Sequence, residues 1–264
     1  MKQGLFYSLL TILLCYACSG GHIDLPDAPV TDEPASGGVG FLSLTLTAAG
    51  TSTRATDPNL DTQEFLITIY KGSEQVGNPV RLKDLNPVLD AGYGYRLQAE
   101  NCTADDAETA NDGWGQKHFR GLSASFAIEA GQTTSVKVAC SVANAGVSIA
   151  FDPDFRKRYP KCVVKLDKRN VSWSLDEDEP GQTPRVAYCN VTENGTRTVT
   201  LLVYLNGGED TEPIEREIPL EAKKVSTLTL KPKTEAEGFF SLSITYDSDF
   251  EETDGSDKDV VVEE

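Results

Sequence analysis

Histidine is scarce in this 264-residue chain, occurring only as His22 and His118. That narrows the chemistry available. A Ser-His-Asp or Cys-His arrangement would have to use His118, since His22 stands in a Pro- and Gly-rich stretch, and no nucleophile elbow accompanies it. No Gly-rich phosphate loop and no zincin motif occurs. Carboxylate pairs such as Asp152/Asp154 are available for glycosidase-type work, but among 41 acids such a pair is expected by chance. Base is short as well, with 24 Lys and Arg giving a formal net charge of −17. With no basic stripe to neutralise phosphates, nucleic-acid binding is excluded. A sustained helical period is missing throughout, and only Thr103 to Ala110, with Thr103 as N-cap and Asp105 and Asp106 in the first turn, reads as either a short helix or a loop. These absences leave no catalytic residue, cofactor or metal to expect. The acidic run from Asp247 to Asp259 lacks the EF-hand order of alternating ligands with glycine at the sixth place.

The apolar run from Leu5 to Leu14 is too short to span a membrane. Lys2 precedes it, Ala17 is a small residue before a cut, and the composition flips to Ser, Gly, Pro and acid just after Cys18. That is the order of a secretory signal peptide. A cysteine directly after the small residue makes it resemble a bacterial lipoprotein signal, in which the cysteine is acylated and becomes the new N-terminus. Cys15 and the bulky Tyr16 depart from the usual pattern. Cys15 and Cys18 also fit Cys-x-x-Cys, without the βαβ context that a redox motif needs. The expectation is an exported protein anchored by lipid on Cys18, with residues 1–17 removed.

Charge is uneven. Residues 19–40 carry four acids and no base, and residues 247–264 carry nine acids and Lys258. Setting those ends and Lys2 aside leaves −6 over residues 41–246, so the excess belongs mainly to solvated tails. Residues 18–40, with Gly20-Gly21, Pro26, Pro29, Pro34 and Gly37-Gly38, read as a flexible tether.

From Phe41 the pattern has period two. Leu42, Leu44 and Leu46 alternate with polar residues; so do Phe65, Ile67 and Ile69, then Tyr93 to Ala99, Ala124 to Ile128, and Val136 to Cys140. A second series follows Asn144: Val147 to Phe151, Cys162 to Leu166, Val171 to Leu175, Val199 to Leu205, Leu228 with Leu230, and Phe240 to Tyr246. Half-buried antiparallel strands at this spacing predict an all-β fold. The expectation is two tandem antiparallel β-sandwich domains of transthyretin- or Ig-like kind, residues 41–143 and 144–250, then an acidic tail, 251–264.

Four cysteines follow Cys18: Cys102, Cys140, Cys162 and Cys189. An even count in an exported chain suggests disulfides, with three possible connectivities. The domain boundary favours Cys102–Cys140 and Cys162–Cys189, each contributing about 3–4 kcal/mol. Buried free thiols are the other reading. The sequons at Asn101, Asn170, Asn190 and Asn194 carry little meaning in a bacterium.

Several segments together carry a family resemblance: Gly40 to Leu46, Thr53-Arg54, Gly92 to Ala99, Gly121 to Phe126, Val136 to Cys140, and Asn144 to Ile149. With the lipoprotein signal and tether, they resemble an uncharacterised lipoprotein family of gut Bacteroidales, domain of unknown function 4493, over about residues 40–247. More loosely, the layout resembles fimbrillin-like adhesins, which are two-domain transthyretin-like sandwiches. In them a trypsin-like protease cuts after an arginine following the first strand, and another subunit's strand fills the groove left behind. By that resemblance Arg54 is a candidate processing site and other surface or pilus subunits are partners. Arg54 is the only Lys or Arg between Lys2 and Lys71 and stands in a small, polar stretch of the kind that proteases nick. An ordinary loop arginine is the competing reading. The C-terminal run Asp259 to Glu264 is too short and too acidic for a donor strand.

One loop stands apart. Trp114 lies between Gly113 and Gly115, where an aromatic either stacks on sugar, making this a surface glycan-binding protein, or folds back to cap the core. Trp173, alternating with Val171 and Leu175, is core.

Overall fold

The computed structural model describes residues 37–48, 60–166, 168–175, 184–192, 194–205, 212–233, 240–247 and 260–261. Residues 34–264 form one compact unit. The fold is all-β. Its strands are β1 (Val39–Ala48), β2 (Leu66–Lys71), β3 (Glu74–Arg81), β4 (Val88–Asp90), β5 (Gly92–Glu100), β6 (Phe119–Leu122), β7 (Phe126–Ile128) and β8 (Thr133–Val142), then β9 (Ala145–Phe151), β10 (Val163–Leu166), β11 (Ser172–Ser174), β12 (Ala187–Cys189), β13 (Thr196–Tyr204), β14 (Ile214–Glu221), β15 (Val225–Pro232), β16 (Phe240–Asp247) and β17 (Val260–Val261). Among the described residues two short α-helices interrupt them, α1 (Ala104–Thr109) and α2 (Pro153–Arg158).

The strands of the first half join in one eight-stranded sheet, in the order β3-β2-β5-β6-β8-β1-β4 with β7 on β5. Alternation explains which faces turn inward. Ile67 and Ile69, Tyr95, Leu97 and Ala99, and Val136, Val138 and Cys140 fill a core that Leu42, Phe65, Phe119 and Ile128 complete. The second half has a four-stranded sheet, β11-β10-β13-β14, and a five-stranded one, β12-β9-β15-β16-β17. Its core takes Val164, Leu166, Leu201, Val203, Ile218 and Leu220 from the first of these and Val147, Ile149, Leu228, Leu230 and Leu242 from the second. Val142 closes one core, Ala145 opens the other, and Ala143 and Asn144 lie between.

Pairing is not uniformly antiparallel. β1 runs parallel to β8 from Phe41↔Thr133 to Ala48↔Cys140, and β9 runs parallel to β15 from Gly146↔Val225 to Phe151↔Leu230. In each half the opening strand pairs with one near the end. Period two reports which face of a strand is buried, not which neighbour it takes. The expected acidic tail holds a strand too: Val260 and Val261 pair antiparallel with Ile244 and Ser243.

The Thr103 segment is a helix, with the Thr103 hydroxyl accepting from the Asp106 amide at 3.1 Å. α2 is capped by Asp152, whose carboxylate accepts from the Asp154 amide at 2.8 Å, with Pro153 in the first turn. Among the described residues, no helix is long and apolar enough to cross a membrane.

Candidate functional site

β1 enters the sheet earlier than expected, at Val39 within the stretch read as tether. Glycine permits that entry. A Cβ on Gly40 would stand 2.3 Å from the Glu129 carbonyl oxygen, and one on Gly38 would stand 2.8 Å from the Ala130 Cβ. The backbone is tied on both flanks: Phe41 donates to the Gln132 carbonyl and Leu42 to the Pro87 carbonyl, each at 2.7 Å. β8 pairs along eight residues of β1, whereas β4 pairs along three, from Val39↔Asp90 to Phe41↔Val88. Of the three leucines read as core, only Leu42 is fully buried; Leu44 and Leu46 are partly buried. Outward, Val39 (46% exposed), Phe41 (43%) and Val88 (37%) leave apolar surface at the strand's start. Arg54 and Cys18 lie outside the described residues.

The Trp114 loop does not stand free. Trp114 meets Trp173 edge to face, with centroids 5.2 Å apart, and the Arg185 guanidinium lies 4.0 Å from its ring centroid. It thus packs against the core of the second half although its own segment lies between β5 and β6 of the first. The Tyr188 amide donates to the Trp114 carbonyl at 2.7 Å, which docks the loop along β12. Gly115, at φ +74°, is required there: a Cβ would come within 2.6 Å of the Tyr188 carbonyl oxygen.

Arg169 holds the same loop from the other side. It donates to the carbonyls of Tyr188 (2.8 Å), Glu108 (2.9 Å) and Gly113, and to the Cys189 sulfur (3.0 Å). The Glu108 carboxylate takes Arg197 at 2.6 Å and faces Arg169 at 3.7 Å. Asn144 ties the connection between halves, its Oδ1 accepting from the His118 amide at 3.1 Å and its Nδ2 donating to the Gln116 carbonyl at 2.8 Å. The buried His118 ring faces the Glu100 carboxylate at 3.2 Å. This places His118 in the junction between the halves. None of the Arg169–Glu108–Arg197 cluster was legible in the sequence, because residues 60 to 90 positions apart meet only through the tertiary fold.

The four cysteines expected to pair are free thiols. Each side chain serves packing or a local contact. The Cys140 thiol donates to the Ala99 carbonyl at 3.7 Å, and Cys102 accepts from the Gln116 amide at 3.4 Å. Cys162 and Cys189 are both buried in the second core. Burial pushes the Cys140 thiol up to about 11 and the Cys162 thiol up to about 12. Burial also raises Cys102 and Cys189, the latter against the pull of Arg169. Asp152 and Asp154 are committed to the cap of α2 and to Lys157, at 2.7 Å. Among the described residues, no group of three or more His, Cys, Asp or Glu is placed to hold a metal.

The model of a family described as a domain of unknown function, DUF4493, matches residues 38–260. No curated protein matches the chain. A fimbrial assembly protein from Parabacteroides distasonis is similar in structure at 12% identity and a TM-score of 0.43, over 83% of this chain and 98% of that one. The fimbrial anchor protein Mfa2 from Porphyromonas gingivalis is similar at 11% identity and a TM-score of 0.42, over 79% of this chain and 98% of that one.

Proposed function

We propose that this chain, which belongs to the family of the domain of unknown function DUF4493, is a structural and adhesive protein of the cell surface without enzymatic activity. It is exported, held at the outer membrane by an acyl chain on Cys18, and carried on the tether that ends at β1. Its two cores are the cores of two tandem β-sandwich domains. Its partners are other surface or pilus subunits, joined by strand addition.

The observation that carries this reading is the placement of β1. It is the element next to the tether, it is paired along eight of its ten residues by β8 but along only three by β4, and it buries a single leucine fully. Its removal would leave β8 with an unpaired edge above an apolar core, a template for a strand from another chain. Cleavage after Arg54 is the step that would release it. Because β8 pairs with β1 in parallel, the replacing strand would run parallel to β8 as well.

Limited trypsin treatment tests this. The expected product begins at Ala55, remains folded, and takes up a synthetic peptide of residues 39–48 in trans. A first cut elsewhere, or a product that unfolds as a monomer, sinks the reading. Glycan contact through Trp114 is the less favoured reading, because Arg185 and Trp173 already cover that ring.

A further inference from the structure

The seat of β1 is tightest at Gly40. This glycine is buried, and its backbone is outside the left-handed region, so what it supplies is space. A Cβ there would meet the Glu129 carbonyl oxygen at 2.3 Å, the Ile128 Cγ2 at 2.7 Å and the Gln132 carbonyl oxygen at 3.1 Å. All three belong to the end of β7 and the turn that leads to β8.

That turn cannot retreat, because hydrogen bonds draw it onto the strand. Phe41 donates to the Gln132 carbonyl at 2.7 Å, and Gly131 donates to the Val39 carbonyl at 2.8 Å. The turn is closed on itself by the Gln132 amide, which donates to the Glu129 carbonyl at 3.1 Å. On the other flank, Ala91 donates to the Gly38 carbonyl at 2.8 Å and Leu42 to the Pro87 carbonyl at 2.7 Å. Making room for a methyl group at position 40 would break bonds that hold the strand. Two residues on, Leu42 enters the core on the same face. Phe41 and Ser43 face solvent. The seat therefore reads the order Gly-x-Leu.

We propose that this seat selects the strand that replaces β1. It admits a strand of another chain when glycine stands at the place of Gly40 and a large aliphatic residue two places on. The inference rests on strand exchange at β1 and adds the chemistry of the partner. Main-chain bonds alone would accept many sequences, and the side-chain positions set which one fits. A strand with a Cβ at the glycine position loses the bonds to the turn or slips in register. A slip of one residue turns its aliphatic face to solvent. Residues 248–264 hold one glycine, Gly255, with Asp257 two places on. That segment of a second copy does not meet the requirement.

Uptake of labelled peptides by the full chain, nicked after Arg54 by trypsin that is then quenched, tests the proposal. The peptide of residues 37–48 is expected to displace the resident segment. Gly40→Ala in that peptide is expected to weaken binding at least about tenfold, on the scale of overpacking. Leu42→Ala is expected to weaken it by at least about as much. Ser43→Ala, a change on the solvent face, is expected to enter as the parent does, and the peptide of residues 248–264 is expected not to enter. Gly40→Ala in the full chain is expected to speed uptake of the parent peptide, since the resident strand is then the poorer fit. Equal uptake of the parent and Gly40→Ala peptides, or entry of residues 248–264, overturns the selection and leaves strand exchange standing. Entry of no peptide, the parent included, refutes strand exchange and the selection with it.

Discussion

Cys140 and Cys162 keep their protons far into the alkaline range because a thiolate would lie in apolar surroundings. Each thiol has a pKa raised above its ordinary value of 9.0. The folded state then holds its proton where the unfolded state has lost it. Their contribution to stability is full below pH 9 and is lost as pH rises through about 11 and about 12. Urea unfolding is expected to show stability falling above pH 9 by up to about 1.4 kcal/mol per pH unit per thiol. Cys162→Val is expected to shallow that fall, and an unchanged slope would refute the assignment. The disulfide expectation failed at this same scale. An even count of cysteines says nothing about where side chains point, and these fill a core or meet a carbonyl instead. Gly115 shows the opposite limit, a residue whose need is tertiary. Gly115→Ala brings a Cβ to 2.6 Å from a backbone oxygen at a positive φ. It is expected to cost about 2 kcal/mol or more and to lower Tm by several degrees.

At the scale of elements, β1 is the strand whose energetics differ most from its pattern. Three alternating leucines suggest a contribution of roughly 5–9 kcal/mol. With only Leu42 fully buried, the expectation is uneven: Leu42→Ala costs about 2–4 kcal/mol, and Leu44→Ala and Leu46→Ala about 1 kcal/mol each. Chemical denaturation of the three variants checks that order, and equal losses would contradict it. Strands with one buried face were legible. β5, β8, β10 and β13 show the alternation that the sequence displays, and β15 shows it after Val225 and Ser226, whereas Thr68 in β2 and Gly146 and Ser148 in β9 are buried on the second face as well. β3 was not, because it is exposed along nearly its entire length and so carries no apolar period. β14 buries only Ile218 and Leu220, and the six residues of α2 are too few to establish a helical period. Parallel pairing of β1 with β8 was illegible for a different reason. The register of distant strands is set by which cores close, and no local signal encodes that closure.

The two cores of the whole molecule are joined by more than the Ala143–Asn144 connection. Val225, from a strand of the second half, packs in the first core, and Trp114, from a loop of the first half, packs on the second. Glu108, Arg169 and Arg197 fasten α1 between them. The fastening includes charged groups with little exposure, and removing one partner leaves the others desolvated and unpaired. Unfolding one half therefore strips the other of a cap and of its charge partners, so the wild-type chain is expected to melt in one transition. Trp114→Ala removes the contact with Trp173 and is expected to cost about 2–4 kcal/mol, falling mainly on the second core. If coupling through this loop is what unites the halves, that variant melts in two steps by calorimetry, with Trp173 fluorescence following the earlier one. One undivided transition with a uniformly lowered Tm would show instead that Asn144 and Val225 suffice to couple the halves. The outcome bears on strand exchange at β1. A first half fastened to an intact second core has support while its own edge is open. A first half that melts alone would lose the groove into which a new strand must fit.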